Sequence, residues 1–386
     1  MLAAVVGGKL QGVEATYLAQ KAGWEVLLID KKADVPASGF CNTFIQIDVR
    51  EKEVLQQILE EVDIIIPALE NDDAIHALAQ EANNAGIPIA LDLDAYRVSS
   101  SKIESNRVFS QIGVPVPKPW RECGFPIVAK PSESSGSEGV HVFGSEDEIK
   151  AFGMPDFGGA SWVIQEFVQG PSYSLEVLGM DGKYFPLQVT DLHMDAHYDC
   201  KRVTAPTGLT PELSGIFERI SVNIARTLHL KGIMDVEVIL NDGLLKVLEI
   251  DARLPSQTPT TVFWSTGLNI VEMLGKIFVS HDFLLPEVKK ATGVVYEHIA
   301  VSSGLLEIAG EHMMTGGGPL QVVPDFFGAD EAITSYTEGR DHWLATLIAA
   351  GSELSEAQEK MKAVIETIRK RFRIVRAVDS TPDAAR

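Results

Sequence analysis

Two apolar runs, residues 233–240 and 244–251, flank Asn241-Asp242-Gly243, and carboxylates are set into both. Asp-Gly between apolar strands is a strong tight-turn signal. Folding back at that turn sets Glu237 opposite residues 247–249, whatever the turn type. Alternation then puts Glu249 and Asp251 on one face of their strand. Three acids thus converge on strands that are otherwise apolar. Like charges in such a place repel and need a counter-charge. Magnesium with a nucleotide phosphate supplies one, because Mg2+ takes oxygen ligands and uses only a few carboxylates. Arg253, two residues on, can reach the same phosphates. The plainer alternative is an exposed polar face on an edge hairpin.

Two further segments suit phosphate and purine. An apolar strand over residues 126–129 closes on Lys130, and a lysine there needs a partner. The Ser/Gly stretch at residues 131–139 follows at once. Its small residues, Ser135 and Gly136 among them, let backbone N–H groups close over phosphate oxygens. It lacks the Gly-Lys-Ser/Thr ending of a Walker A loop, and alone it also suits a plain hairpin connection. At Gln165-Glu166-Phe167-Val168 an apolar strand ends with backbone groups that can meet an adenine edge. Beyond it, Glu176 suits ribose hydroxyls or the substrate side, although an ordinary interdomain strand would look the same.

The first hundred residues alternate strand and helix. Strands are predicted at residues 3–6, 25–29, 64–67 and 87–91, with helices from about 12 to 22 and from 72 to 85. Such alternation implies a parallel sheet with crossover helices. A helix at 102–112 and three prolines (Pro115, Pro117, Pro119) lead into a small αβ unit with strands at 125–130, 140–143 and 162–167 and a helix near 146–152. From Ser174 the strands are long and suit antiparallel pairing. Thr210-Pro211 opens a helix to about residue 230. Residues 310–329, rich in Gly and Pro, read as loop, and a last helix spans about 353–372.

In chain order, Lys102, Lys130, the Ser/Gly stretch, Glu166-Phe167-Val168, and Glu237 with Glu249 and Asp251 resemble the ATP-grasp superfamily. That family usually carries Glu-x-Asn at the second metal position; Glu249-Ile250-Asp251 has aspartate there. Longer stretches at residues 6–12, 198–200, 230–237 and 249–260 look like the ligases of pyrrolysine biosynthesis, and the likeness covers most of residues 1–300. The resemblance implies an α/β fold, α+β in its ATP-binding part. A Rossmann-like preATP-grasp domain would take residues 1–95. A central ATP-grasp domain would take 96–300, with a lid subdomain at 121–178, and a small C-terminal α/β domain 301–386. It also implies a carbon–nitrogen ligase that uses ATP and Mg2+ on two small molecules, 3-methyl-D-ornithine and L-lysine. Lys102, Lys130 and Arg253 would hold phosphates, the last two acting in the catalytic step. Gln165, Glu166, Phe167 and Val168 would hold adenine, and Glu237, Glu249 and Asp251 the metal. Leu10, Gln11, Glu70, Tyr198, Asp199, Ser256, Gln257 and Thr258 would meet the substrates. An ATP-grasp enzyme with D-alanine-like or bicarbonate substrates, and a non-catalytic ATP-binding protein, stay open as alternatives.

Gly7-Gly8-Lys9-Leu10-Gln11-Gly12 approaches a dinucleotide fingerprint, with Asp30 ending the second strand. Lys9 stands where the second glycine belongs, which argues against pyrophosphate on this loop and for substrate. A nucleotide contact through Lys9, Asp30 and Asp48 is the alternative. Glu70 follows the third strand at the end where ligands of open α/β sheets gather; it suits a substrate ammonium or a solvated turn. Asp191, His193, Asp195, His197 and Asp199 read as an acidic loop. The His193/His197 spacing matches a helical metal pair, but the segment is not helical, so it better suits amine-bearing substrates.

The 386 residues, 45% hydrophobic, allow a large core in two or three domains. The net charge of −21 repels phosphate backbones and disfavours a nucleic-acid partner. No apolar run reaches membrane-spanning length, the first residues lack a basic signal-peptide region, and Cys41, Cys123 and Cys200 stand too far apart for a disulfide framework or zinc site. A soluble cytoplasmic protein with no membrane partner is expected, and a homodimer through the C-terminal helix remains an option.

Overall fold

The computed structural model describes residues 1–133, 139–153, 161–282 and 290–382. Its N-terminal sheet has four parallel strands in the order Thr43–Gln46, Glu25–Asp30, Leu2–Val6, Ile64–Pro67. The central strand is buried from Ala3 to Val6, as a parallel sheet covered on both faces requires. Helix Leu10–Lys21 packs on one side, and Asp72–Ala85 begins where the Asn71 side chain accepts the Ala74 N–H at 2.9 Å. The strand expected at 87–91 reduces to a single bridge between Ile65 and Ile89. Strand Thr43–Gln46 and helix Lys52–Leu59 were not foreseen; the strand is a half-buried edge of four residues, too short for a periodic signal.

Strands His141–Phe143, Ile127–Pro131 and Trp162–Glu166 form a separate antiparallel sheet. Helix Glu146–Phe152 covers it through Ile149, over a small core with Ile127, Ala129 and Phe143.

The rest of the chain builds one sheet of twelve strands. Its main path runs Leu244–Asp251, Gly232–Asn241, Ser172–Met180, Thr190–Met194, Cys200–Ala205, Gly293–Ser302, His342–Gly351, Glu331–Thr334, Gln321–Pro324, antiparallel throughout. Strand Gly293–Ser302 spans residue 300, so the sheet continues unbroken from the ATP-binding part into the C-terminal part. Helix Pro211–Thr227 buries Phe217 and Ile224 against the first strands, with Thr210 as its cap. It stops before residue 230 because His229 turns left-handed, φ 51°. Helix Leu354–Arg371 lays Ala357, Met361, Val364 and Ile368 on the other end. The expected loop at 310–329 instead contains a 3-10 turn, Glu311–Gly316, and the edge strand Gln321–Pro324.

The N-terminal part docks on this sheet. The Tyr17 hydroxyl donates to Glu331, Lys21 pairs with the same carboxylate at 2.8 Å, and the Trp264 indole N–H donates to Tyr17 at 2.9 Å. Among the described residues, no single helix is long and apolar enough to cross a membrane.

Candidate active site

The site grows from cross-strand register. From Asn241–Leu244 to Val238–Val247 the hairpin pairs regularly; then Leu248 is skipped, and Glu237 pairs with Glu249 and Asp235 with Asp251. Without this bulge Glu237 would face Leu248. The extra residue re-aims the strand so that both glutamates share a face, a common use of bulges beside sites. The neighbouring strand continues the pattern, with Ser174 opposite Glu237 and Glu176 opposite Asp235. Two rows result, Ser174–Glu237–Glu249 and Glu176–Asp235–Asp251, and five carboxylates occupy one face of three strands. Asp235 was missed in the sequence, although the period of two from Glu237 marks it. The Ser174 hydroxyl donates to Asp235 at 2.5 Å.

Cations answer part of this charge. The Lys102 ammonium lies 3.4 Å from Glu249. Arg253, 7% exposed, pairs with Glu70 at 2.5 Å and with Asp251 at 3.2 Å. Burial drives the carboxyl pKa values up: Asp251 to about 7 against the pull of Arg253, Asp235 to about 6, and Glu237 well above the usual range with Glu249, Asp235 and Asp251 adding to the burial. Burial pushes Glu249 the same way, but Lys102, Lys130 and Arg253 outweigh it and its pKa falls. Burial lowers the Lys130 pKa, and Glu249 opposes. Glu237 therefore keeps its proton near neutrality while Glu249 stays ionised, and the cluster has room for more positive charge. Among the described residues, no three Asp, Glu, His or Cys side chains form a complete metal-ligand group. Mg2+ fits such a donor set because it is held by one or two carboxylates with phosphate and water oxygens supplying the rest.

A cavity of about 1250 Å³ opens over this face. It brings together Lys9, Leu10, Gln11, Asp30, Glu70, Lys102, Lys130, Gln165, Glu166, Phe167, Val168, Tyr198, Asp199, Glu237, Glu249, Asp251, Arg253, Ser256, Gln257 and Thr258. Glu166 is tied to Lys246 at 2.9 Å, and the Phe167 ring meets Tyr198 edge-on at 5.8 Å. Gln11 donates to Glu70 at 2.6 Å, so one carboxylate joins the start of helix Leu10–Lys21 to Arg253. Asp30 lines the cavity, and its oxygens accept the N–H groups of Gly8 and Lys32, both at 2.8 Å. These bonds shape the loop and leave each oxygen a further lone pair toward the cavity.

Other expectations fall elsewhere. Asp48 lies outside the cavity and pairs with Arg50, whose hydrogen bonds hold its pKa well below the usual range. Glu176 is fully buried and not part of the lining, so the expected ribose contact has no surface to use; burial and Asp235 raise it to about 8. Ser135 and Gly136 lie outside the described residues. The expected acidic loop is divided between strand Thr190–Met194, which carries Asp191 and His193, and a turn at 195–199 with Asp195, His197 and Asp199. His193 reaches Thr204 at 3.1 Å rather than His197, and burial with Arg202 and Lys201 lowers it to about 4. Asp199 receives the N–H of His312 at 3.0 Å.

Sequence reasoning also missed the far wall. Lys201, 1% exposed, donates to Asp379 and to the Ser380 carbonyl, and Arg202 pairs with Glu297 and, at 3.1 Å, with Asp379. These partners stand up to 179 residues apart, so no local pattern announces them.

Known proteins are similar to this chain in sequence and in fold. An ATP-grasp domain model matches residues 99–257. The 3-methyl-D-ornithine–L-lysine ligase of Methanosarcina acetivorans is 36% identical over 95% of this chain and 98% of its own length. The enzyme of the same name from Methanosarcina barkeri is 34% identical over 95% and 98%. The chain belongs to the family of 3-methyl-D-ornithine–L-lysine ligases. Within that family it is an ATP-grasp, ATP-dependent carbon–nitrogen ligase. Solved structures carry the same fold at low identity. Biotin carboxylase from Campylobacter jejuni, in a complex with a β,γ-ATP ligand, aligns at TM-score 0.73 and 15% identity, covering 95% of this chain and 91% of that one. An N5-carboxyaminoimidazole ribonucleotide synthetase in an ADP complex aligns at 0.70 and 16%, covering 96% and 97%.

Proposed function

We propose that this ligase joins 3-methyl-D-ornithine to the ε-amine of L-lysine in pyrrolysine biosynthesis, giving 3-methyl-D-ornithyl-N6-L-lysine. The observation that carries this reading is one cavity in which Lys102, Lys130 and Arg253 stand over the acid rows while Glu70 and Asp199 face the same space. Cations there suit phosphates, and the remaining carboxylates suit the ammonium groups of both substrates. The near full-length likeness to ligases named for these substrates supports it.

Lys102, Lys130 and Arg253 hold the ATP phosphates, and Gln165, Glu166, Phe167 and Val168 take the adenine. Glu237 and Glu249, with Asp251, would hold Mg2+, which neutralises charge on the transferring phosphoryl group. Leu10, Gln11, Glu70, Tyr198, Asp199, Ser256, Gln257 and Thr258 orient the amino acids. A carboxylate oxygen of 3-methyl-D-ornithine attacks the γ-phosphorus; the bond to the ADP oxygen breaks and an acyl phosphate forms. The ε-amine of lysine then attacks the acyl carbon, loses a proton, and expels phosphate. Little covalent work falls to the protein, so catalysis is positioning and charge neutralisation. The sheet holding Lys130 and the hinge acts as the lid and keeps water from the acyl phosphate. A division near residue 95 fits these roles, whereas one at 300 would cut strand Gly293–Ser302 and a lid ending at 178 would cut strand Ser172–Met180 of the large sheet.

Mass spectrometry of reactions with ATP, L-lysine and either 3-methyl-D-ornithine or D-ornithine tests this. The amide, at the summed masses less one water, with matching ADP is expected. ADP without amide, or neither product, would contradict it.

A further inference from the structure

Helix Leu10–Lys21 carries an acid on its buried face. Glu14 is 1% exposed, and it serves two main-chain donors of another segment. One oxygen accepts the Thr260 N–H at 2.5 Å and the other the Gln257 N–H at 3.3 Å. Both donors lie at the start of helix Thr258–Thr266, where the first N–H groups lack intrahelical partners. Gln257 makes no side-chain cap and sits at φ 68°, ψ −56°. A non-glycine residue persists in such a conformation only where its surroundings enforce it. Ser256, Gln257 and Thr258 line the cavity; Glu14 does not. Three residues earlier on the same helix, Gln11 does reach the cavity.

We propose that Glu14 is a positioning residue: by gripping the main chain of Gln257 and Thr260 it fixes the turn at residues 256–258 in the shape that receives an amino-acid substrate. This role rests on the assignment of that turn to substrate. The buried Glu311 carboxylate lies on the other side of the same turn, close to Ser256 and Gln257. Burial raises the Glu14 pKa to about 7, and the Thr260 and Gln257 hydrogen bonds pull it back. A carboxylate can accept both N–H groups, whereas Glu14→Gln keeps one acceptor and turns its NH2 toward a donor.

The test combines amide hydrogen exchange of the ligand-free protein with steady-state kinetics. In Glu14→Gln, compared with wild type at about pH 8 where Glu14 is ionised, exchange over residues 257–266 should quicken about tenfold or more, since hydrogen bonds to a charged acceptor are among the strong ones. KM for an amino-acid substrate should rise about tenfold, with ATP-analogue affinity within twofold of wild type. The Gln257→Gly variant removes the backbone strain, so the Glu14→Gln effect on KM should shrink in that background. Unchanged exchange, an equal loss of ATP-analogue affinity, or the same KM effect in both backgrounds would overturn the role. If wild-type protein forms no amide from these amino acids, the substrate reading fails by itself, and the exchange experiment still decides whether Glu14 holds the turn.

Discussion

Replacing Arg253 by Met separates a structural charge from a catalytic one. The guanidinium is 7% exposed and answers Glu70 at 2.5 Å and Asp251 at 3.2 Å. Breaking a fully buried pair costs about 3–5 kcal/mol, because a charge is left uncompensated. Two features lower that here. The Glu70 side chain is 34% exposed and keeps water. Asp251 already titrates near 7 and, without its cation, stays protonated. A loss of about 1–2 kcal/mol follows, which lowers Tm by a few degrees in a chain of this size. Turnover should fall much further, about 100- to 1000-fold, the cost of removing one preorganised group from a developing charge. Arg253→Lys keeps the charge but not the fork that spans two acids, so it should recover only part of the rate. The assay is ADP release with both amino acids present, beside a thermal melt. A Met variant with the predicted drop in Tm but kcat/KM within about threefold of wild type would refute the phosphate role and leave Arg253 as a structural counter-ion.

Glu249→Gln should abolish turnover with circular dichroism unchanged; near wild-type product formation would remove the metal assignment. Through Glu14, Asp251 and Glu176, the stability of the ligand-free protein should fall as pH rises from about 5 to about 8, between their unfolded and folded pKa values. Glu14 and Asp251, near 7, and Glu176, near 8, hold protons in the folded state that the unfolded chain has already lost. Each such proton contributes a slope of up to about 1.4 kcal/mol per pH unit. Differential scanning calorimetry across that window checks the sign, and a Tm that rises contradicts it. Gly7→Ala should destabilise by about 2 kcal/mol or more, since φ is 104° and an added Cβ would lie 2.3 Å from the Ala68 carbonyl oxygen. An unchanged urea midpoint would count against that backbone requirement.

Much of this was legible because the signals were local. An Asp-Gly turn between apolar runs announced the hairpin, and alternation of period two placed its acids. The bulge was not legible: Val247 and Leu248 are both apolar, so skipping one leaves the pattern intact while changing which residue meets Glu237. Glu176 was placed too near the nucleotide because a single strand does not tell what covers its face; it stands beside Asp235 in the same row, and the segment at Thr258 packs over it. Asp48, expected at a nucleotide, lies outside the cavity with Arg50 as its partner, because a near-neighbour cation two residues on was not weighed. Residues 87–91 are apolar enough for a strand but bridge only once, at Ile89. The wall of Lys201, Arg202 and Asp379 exists only through long-range pairing.

A crystal structure with Mg2+ and a non-hydrolysable ATP analogue tests the central claim most directly. Mg2+ should sit about 2.0–2.1 Å from oxygens of Glu237 and Glu249 and of the analogue's phosphates, the distance this ion requires. Lys102, Lys130 and Arg253 should contact those phosphates, with adenine against residues 165–168. A nucleotide bound elsewhere, with the acid rows bare, would contradict the account.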